Sequence, residues 1–283
     1  MKMNHSGVFV NNNRRSRLCR SCGKLISPDA PQCMHCGQKN PGQVTWFDQF
    51  IALFRFNSGV VQSIISASII LYVISLLIDP AAILNVQGFF GILAPSGKAV
   101  SILGATGSHY VVTWGRWWTL FTAIFLHGNL LHILFNMLWL SQLGSMVEDV
   151  YGHARTFILF ILAGVTGFVF STVAGIPATL GASGGIFGLF GALIFYGRHR
   201  GGHFGTALYQ QVGTWAIILF VFGFMMPNVD NFAHLGGFVG GYLFASLLGY
   251  QELKRELPVH RLIAVGLAIV TGAGFVLSVV TLL

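Results

Sequence analysis

The sequence predicts an all-α protein that crosses a membrane several times and is preceded by a small polar head. Three observations support this fold class. Of the 283 residues, 54% are hydrophobic and only 8% are charged, whereas a soluble domain has about 25% charged residues. Apolar stretches suited to a bilayer recur along the chain after residue 57. All four cysteines lie before these stretches, between Cys19 and Cys36.

Charge and cysteine usage exclude several other classes of protein. The net charge of +8 comes from basic residues in short tracts between apolar runs, not from one basic face, so we expect no nucleic-acid partner. The apolar part has no cysteine, so it cannot contain a disulfide framework. The first 45 residues lack an apolar run behind their basic residues, so we expect no cleavable signal peptide.

The first element is the polar head, residues 1–45, followed by a linker over residues 46–57. In the head, Cys19-Arg20-Ser21-Cys22 is followed by Cys33-Met34-His35-Cys36. Paired thiolates at this spacing can close a tetrahedral zinc site. A redox pair or unligated thiols are the alternatives. Four ligands without an open position favour a structural zinc ribbon, so we expect one structural zinc ion and no cofactor for catalysis.

The membrane domain covers residues 58–283 and has seven predicted transmembrane helices. Asp79–Trp117, between the first two, forms a long loop that is too apolar to be simply solvated. The predicted spans are Val60–Ile78, Leu130–Met146, Thr156–Ala174, Ser183–Tyr196, Thr206–Met226, Phe232–Leu248 and Leu262–Leu282.

The distribution of basic residues predicts the orientation. With the head in the cytoplasm, all of the 16 Lys and Arg residues except Lys98 and Arg116 fall on the inner side. This positive-inside bias predicts a cytoplasmic amino terminus and an outer carboxyl terminus. Thiols in a cytoplasmic head remain reduced, which also favours zinc binding over disulfides.

Ser183 begins the shortest predicted span, in Gly181-Ala182-Ser183-Gly184-Gly185. The apolar stretch would rise only about 21 Å, less than the roughly 30 Å hydrocarbon core. We therefore expect its outer end to lie below the membrane surface, where non-helical backbone must be buried in protein or face a water-filled cavity. The alternative is that this serine only permits tight helix packing, which is its commoner role beside glycine.

His234 lies near the outer end of the sixth span, and an ionisable side chain within a span is a functional hypothesis by default. The alternative is a histidine that only bonds a neighbouring helix. Small-residue ridges on the fourth and sixth spans allow close contact, which would bring Ser183 within hydrogen-bond reach of His234. No Asp or Glu lies in a predicted span, so a Ser–His dyad is favoured over a triad. The ridges are Gly184/Gly188, Gly236/Gly240 and Gly237/Gly241.

His132 and Asn136 form a second polar pair, four residues apart on one face of the second span. Both offer N–H donors, which suit the oxyanion of an acyl-transfer intermediate. An interhelical hydrogen bond is the alternative. Because the even-numbered spans run in the same direction, His132, Ser183 and His234 are expected at similar depth.

These motifs resemble those of the rhomboid intramembrane serine proteases. The resemblance rests on Phe125-Leu126-His127 with His132 and Asn136, on Gly181-Ala182-Ser183-Gly184, and on Ala233-His234-Leu235-Gly236-Gly237. It implies a six-helix rhomboid core with one helix added at the carboxyl end. Ser183 and His234 would be the catalytic dyad, and Asn136, His132 and the Ser183 N–H would form the oxyanion hole.

The resemblance further implies an intramembrane endopeptidase whose partners are transmembrane protein substrates and the lipid bilayer. We expect a multi-pass protein of a bacterial cell (inner) membrane. Glu148 with Gly152 and Arg155 resembles a structural loop of the family. Where many members have Trp-Arg, this chain has Trp118-Thr119, with Arg116 three positions before Thr119. At the position where an aromatic residue often stacks on the catalytic histidine it has Phe187, which can stack but lacks a phenol hydroxyl.

Two other functions stay open. A catalytically silent rhomboid-like protein binds transmembrane helices without cutting them, and usually lacks the serine or the histidine that this chain has as Ser183 and His234. A transporter or channel is expected to have charged residues in its spans, or interrupted helices in repeated halves. Neither pattern is evident in the sequence.

Overall fold

The computed structural model describes residues 2–3, 9–10, 17–19, 25–27, 30–35, 37, 59–84, 88, 91–226, 228–253 and 256–282. The chain divides into two compact units, Met1–Phe56 and Asn57–Leu283. The predicted linker over residues 46–57 lies outside the described residues.

Among its described residues, the first unit has two short pairs of antiparallel strands. Strand β1 (Lys2–Met3) pairs with β2 (Phe9–Val10), and β3 (Arg17–Leu18) pairs with β4 (Leu25–Ile26). Ile26 of β4 lies in a small buried cluster with Cys19, the residue after β3, and with Cys33.

The second unit is helical, and seven of its helices have 18 or more described residues. Each lies on one of the seven predicted spans, so the predicted all-α fold is confirmed. The helices are α1 (Val60–Ile78), α2 (Leu130–Tyr151), α3 (His153–Val173), α4 (Ser183–Arg200), α5 (Gly202–Met225), α6 (Asn231–Leu248) and α7 (Pro258–Val280).

Helix α4 begins at Ser183 as predicted, but it continues past Tyr196 to Arg200. Its 18 residues rise about 27 Å, so the expectation of a markedly short fourth helix was wrong. Its final residues, Arg198-His199-Arg200, are too polar to extend an apolar stretch. They remain helical because cations are favourable near helix carboxyl termini.

Five of these seven helices are long and apolar enough to cross a membrane, namely α1, α2, α3, α5 and α7. The two that are not, α4 and α6, pack closely against each other and against α3. Every residue from Gly184 to Gly197 in α4 is buried. Since α4 faces other helices, it does not need the apolar surface that lipid requires.

The first loop, between α1 and α2, contains several short helical segments. They are the 3₁₀ turn Pro80–Leu84, the helix Gly97–Leu103, the π-helical turn His109–Thr113, the short helix Thr119–Thr122 and the 3₁₀ turn Ala123–Phe125. Both short α-helices contact α7. The described part of the loop therefore packs against α7 at the edge of the bundle.

Candidate active site

Ser183 is the first residue of α4, and the backbone before it is tightly placed. Gly181 has φ +132°, a value that favours glycine. A Cβ atom at Gly181 would lie 2.7 Å from Nε2 of His132. The Gly181 N–H donates to the carbonyl oxygen of Ala123 at 2.9 Å. The loop that leads to Ser183 is thus fixed between α2, which carries His132, and the 3₁₀ turn Ala123–Phe125, which precedes α2.

His234 lies on the first turns of α6, and its Nε2 is 2.9 Å from Oγ of Ser183. Only 7% of His234 is exposed. Its ring stacks on that of Phe187, with centroids 4.3 Å apart and planes at 16°. The structure therefore brings together the serine and histidine singled out by the sequence, with an aromatic ring that fixes the imidazole plane.

Contact between the backbones of α4 and α6 makes this short distance possible. A methyl group at Gly237 would overlap the carbonyl oxygen of Gly184, and one at Gly241 would overlap that of Gly188. Two helices can approach this closely only where side chains are absent. The ridges Gly184/Gly188 and Gly237/Gly241 therefore allow the close contact between α4 and α6 that the sequence predicted.

The other predicted ridge on α6 has a different neighbour. A Cβ atom at Gly236 would lie 2.6 Å from the Phe170 ring, and one at Gly240 would lie 2.9 Å from Cβ of Thr166. Both neighbours belong to α3. Gly236 and Gly240 therefore seat α6 against α3, and the expectation that all three ridges join α4 to α6 was wrong.

Asp230 caps the start of α6, a role that was not predicted from the sequence. Asp230 is the N-cap residue, and its Oδ1 accepts from the Ala233 N–H at 3.0 Å. Its Oδ2 accepts a short hydrogen bond from the Ser171 hydroxyl on α3. An aspartate just before a helix is a recognisable capping signal. The bond to Ser171 crosses 59 positions and has no local sequence signal.

His132 lies beside the loop that leads to Ser183. Its backbone N–H donates to Oδ1 of the N-cap residue Asn129 at 2.7 Å, and its Nδ1 accepts from the Gly128 N–H at 3.3 Å. In a neutral ring the proton is then on Nε2, the atom that faces Gly181. The His127 ring lies 5.1 Å away, and burial, reinforced by His132, holds the pKa of His127 well below its usual value.

Asn136 lies one turn further along α2 and is buried, with 6% exposure. Its Nδ2 donates to the carbonyl oxygen of His132 at 2.8 Å. An amide group has two N–H donors, so this bond leaves one for another acceptor. His132 and Asn136 are thus linked on one helix face, as their spacing predicted.

A family model for the Rhomboid domain matches residues 114–251. Rhomboid protease GluP of Bacillus subtilis is 36% identical over 162 residues, which are 54% of this chain and 31% of GluP. RHOMBOID-like protein 1 of Arabidopsis thaliana is 37% identical over 175 residues, 58% of this chain and 42% of that protein. The Bacillus subtilis rhomboid protein YdcA is 31% identical over 153 residues, 53% of this chain and 76% of YdcA.

The chain belongs to the rhomboid family. It is a multi-pass membrane protein of an intramembrane protease family, with the family's all-α fold. The aligned part spans less than half the length of GluP and of the Arabidopsis protein.

In this rhomboid, the motif predicted as a loop after the second helix is mostly helical, because Glu148 lies in the last turn of α2 and Arg155 in the first turn of α3. Oε1 of Glu148 accepts from the Val61 N–H at 2.9 Å. Arg155 is fully buried, and its Nε donates to Nδ1 of His260 at 3.1 Å. These contacts connect the ends of α1, α2, α3 and α7, which is a structural function.

The rhomboid's predicted zinc ligands are only partly described, because Cys22 and Cys36 lie outside the described residues. Cys19 and Cys33 are both buried. The His35 N–H donates to Sγ of Cys33 at 3.4 Å. Gly37 has φ +75°, and its N–H donates to the Cys33 carbonyl at 2.9 Å. The tight turn around Cys33 fits a metal-ligating cysteine.

Proposed function

We propose that this rhomboid is an intramembrane serine endopeptidase that cuts transmembrane segments of other membrane proteins. The observation that carries the proposal is the 2.9 Å separation of His234 Nε2 and Ser183 Oγ. A serine hydroxyl is a poor nucleophile until a base takes its proton, and neutral imidazole suits this task near pH 7.

The proposed chemistry is acyl transfer. Ser183 Oγ attacks the carbonyl carbon of the scissile peptide while His234 Nε2 accepts the hydroxyl proton. The tetrahedral intermediate expels the amine, which receives that proton from His234, and an ester on Ser183 remains. Water then attacks the ester with His234 as base, and the proton returns to Ser183 as the acid product leaves. The stacked Phe187 ring holds the imidazole in place for both proton transfers.

The oxyanion would be bound by donors from two helices. The Nε2–H of His132 faces the nucleophile loop, and the Ser183 N–H belongs to the first turn of α4, where N–H groups have no partner within the helix. The second N–H of the Asn136 amide is the third proposed donor. Such donors stabilise the negative charge that develops in the transition state.

The proposed topology follows from the basic residues. The head would be cytoplasmic, and Ser183 would lie towards the opposite, extracytoplasmic side of a bacterial cell membrane. We propose that Cys19, Cys22, Cys33 and Cys36 hold a structural zinc ion in the head. A closed site of four thiolates has no open position for a substrate, so it would not take part in the cut.

The position of charged residues argues against an ion transporter. In the seven long helices, as far as their residues are described, Asp, Glu, Lys and Arg lie only in the terminal two turns. Transport pathways usually place such residues within the spans. No observation favours transport over proteolysis.

The test is cleavage of a tagged single-span substrate by the purified protein in detergent. We expect wild-type protein to cut it and both Ser183→Ala and His234→Ala to lose activity. Ser246→Ala is a matched control, because Ser246 is exposed on α6 and, among the described residues, its hydroxyl bonds only the Leu243 carbonyl oxygen of its own helix. A folded wild-type protein that binds the substrate but never cuts it would instead identify a silent member of the family.

A further inference from the structure

Arg116, in the first loop, is a buried cation that bonds carbonyl oxygens. Only 3% of it is exposed. Its Nη2 donates to the carbonyl oxygen of Ser278 at 3.0 Å, and its Nη1 donates to that of Ser101 at 3.4 Å. Ser278 lies in the last turn of α7, where carbonyl oxygens carry partial negative charge. Arg116 therefore connects the first loop to the carboxyl-terminal end of the seventh helix.

A second bond reinforces this connection. Trp118 Nε1 donates to Oγ of Ser278 at 3.1 Å, and Ser278 is fully buried. One turn earlier on α7, a Cβ atom at Gly274 would lie 3.3 Å from the Trp118 carbonyl oxygen. Apart from a few small or polar residues, α7 is mostly exposed, so this contact is a localised attachment. The buried residues of α7 are His260, Thr271, Gly274 and Ser278.

From this attachment, hydrogen bonds continue towards the nucleophile. The Thr119 hydroxyl donates to the Arg116 carbonyl oxygen at 2.6 Å and lies 2.9 Å from the Thr106 hydroxyl, which can donate the second bond. Thr106 pairs with Thr179 through two backbone bonds of 3.0 and 2.7 Å. Thr179 begins the short segment that ends at Ser183. Arg116, Thr119 and Thr106 are buried, and Thr179 is half-buried.

We propose that Arg116 and Thr119 are positioning residues through which α7 fixes the loop that carries Ser183. The inference rests on the proposed protease activity. It also gives a role to Thr119, which stands where many rhomboids have arginine. Thr119 bonds the Thr106 hydroxyl, and Arg116, three positions earlier, bonds α7. The seventh helix then contributes to the reaction rate as well as to membrane anchoring.

The size of the effect follows from the geometry at Ser183. Loss of a link lets the Thr106–Thr179 pair shift, and a misplacement of about 1 Å can cost roughly 100-fold in rate. In the described structure, no hydrogen bond joins these side chains to Ser183 or His234. We therefore expect kcat to fall by about tenfold or more while KM changes little.

Two substitutions with matched controls test the proposal. Thr119→Val removes the hydroxyl at nearly constant size, and Thr119→Ser keeps it. Arg116→Met removes the guanidinium at similar length, and Arg261→Met does the same at an exposed arginine of α7 that bonds only Glu256 in the described structure. For each purified protein, the substrate kcat and KM, the labelling rate of Ser183 by a fluorophosphonate and the thermal unfolding temperature are measured.

We expect Thr119→Val and Arg116→Met to slow both kcat and labelling by about tenfold, with Thr119→Ser and Arg261→Met near wild type. Because the links are in series, the double variant should lose little more than the worse single variant. Wild-type labelling rates in both variants, or losses that only follow the unfolded fraction, would overturn the inference. Failure of the proposed function is separate, since wild-type protein itself would then neither cut nor label.

Discussion

Gly237 on α6 lies directly against the carbonyl oxygen of Gly184 on α4, with no room for a methyl group. Gly237→Ala should therefore push α6 away and move His234 from Ser183. Overpacking of this kind typically costs about 1–3 kcal/mol, and the displaced base should lower kcat by about 100-fold. Steady-state cleavage and thermal unfolding measure the two effects.

Gly266→Ala is the control for that substitution, because nothing lies within 4 Å of the position that a Cβ atom would take there. We expect unchanged activity and equal or slightly higher stability, since alanine has a higher helix propensity than glycine. Equal loss in Gly237→Ala and Gly266→Ala would show that close α4–α6 contact is not the cause.

Phe187 provides a second test, because its ring is stacked on His234. Phe187→Tyr keeps the ring, so we expect activity within about threefold of wild type. Phe187→Leu keeps apolar bulk and loses the stacking, which is worth about 0.5–1.5 kcal/mol, so kcat should fall by roughly 2- to 10-fold. Identical kcat values for the Tyr and Leu variants would contradict a role of the ring in holding the imidazole.

Substitutions of Asp230 separate the effect of helix capping from the effect of its carboxylate charge at the start of α6. Asn is as good an N-cap residue as Asp, whereas Ala costs about 1 kcal/mol. We expect Asp230→Asn to retain most activity and thermal stability, and Asp230→Ala to lose part of both because the turn that carries His234 frays. If the Asn variant is as impaired as the Ala variant, the carboxylate charge is needed and the capping explanation is wrong.

Substitution of Asn136 tests whether its amide group donates to the oxyanion. Asn136→Ala removes one proposed donor while His132 and the Ser183 N–H remain, and losing one such donor typically lowers kcat by about 100- to 1,000-fold. We expect residual cleavage above that of Ser183→Ala, with little change in KM. A kcat equal to that of wild type would exclude Asn136 from the hole.

The helices and the close Ser183–His234 pair could be predicted from the sequence, because both leave local patterns. The α1 helix has the predicted bounds Val60–Ile78, since it begins and ends on apolar residues and contains no charged residue between them. The Ser183–His234 pair was predicted from glycine spacing and family resemblance. Helix ends with polar residues, such as Arg198-His199-Arg200 in α4, were missed because they do not resemble apolar spans.

The contacts that support the site could not be predicted in the same way. The Ser171–Asp230 and Arg116–Ser278 bonds join residues 59 and 162 positions apart. Each is made by single polar side chains that would look unremarkable in any helix end or loop. Only the folded arrangement of α3, α6, α7 and the first loop shows these partners.

The zinc ribbon and the active site are expected to be independent modules. Deleting residues 1–45, or removing zinc with a chelator, should leave cleavage of a detergent-solubilised substrate nearly unchanged. A closed four-thiolate site cannot act as a Lewis acid on a carbonyl bound elsewhere. A truncated protein that binds substrate but cannot cut it would show that the head takes part in catalysis.

The assignment of Ser183 as the nucleophile is tested most directly by identifying the residue that a fluorophosphonate modifies. Ser183 Oγ should displace fluoride and form a bond to phosphorus while His234 accepts the proton. Peptide mass mapping should find the adduct on Ser183 in wild type and none in Ser183→Ala, with labelling of His234→Ala slower by at least about 100-fold. An adduct on another residue, or full labelling of Ser183→Ala, would contradict the assignment of Ser183 as the nucleophile.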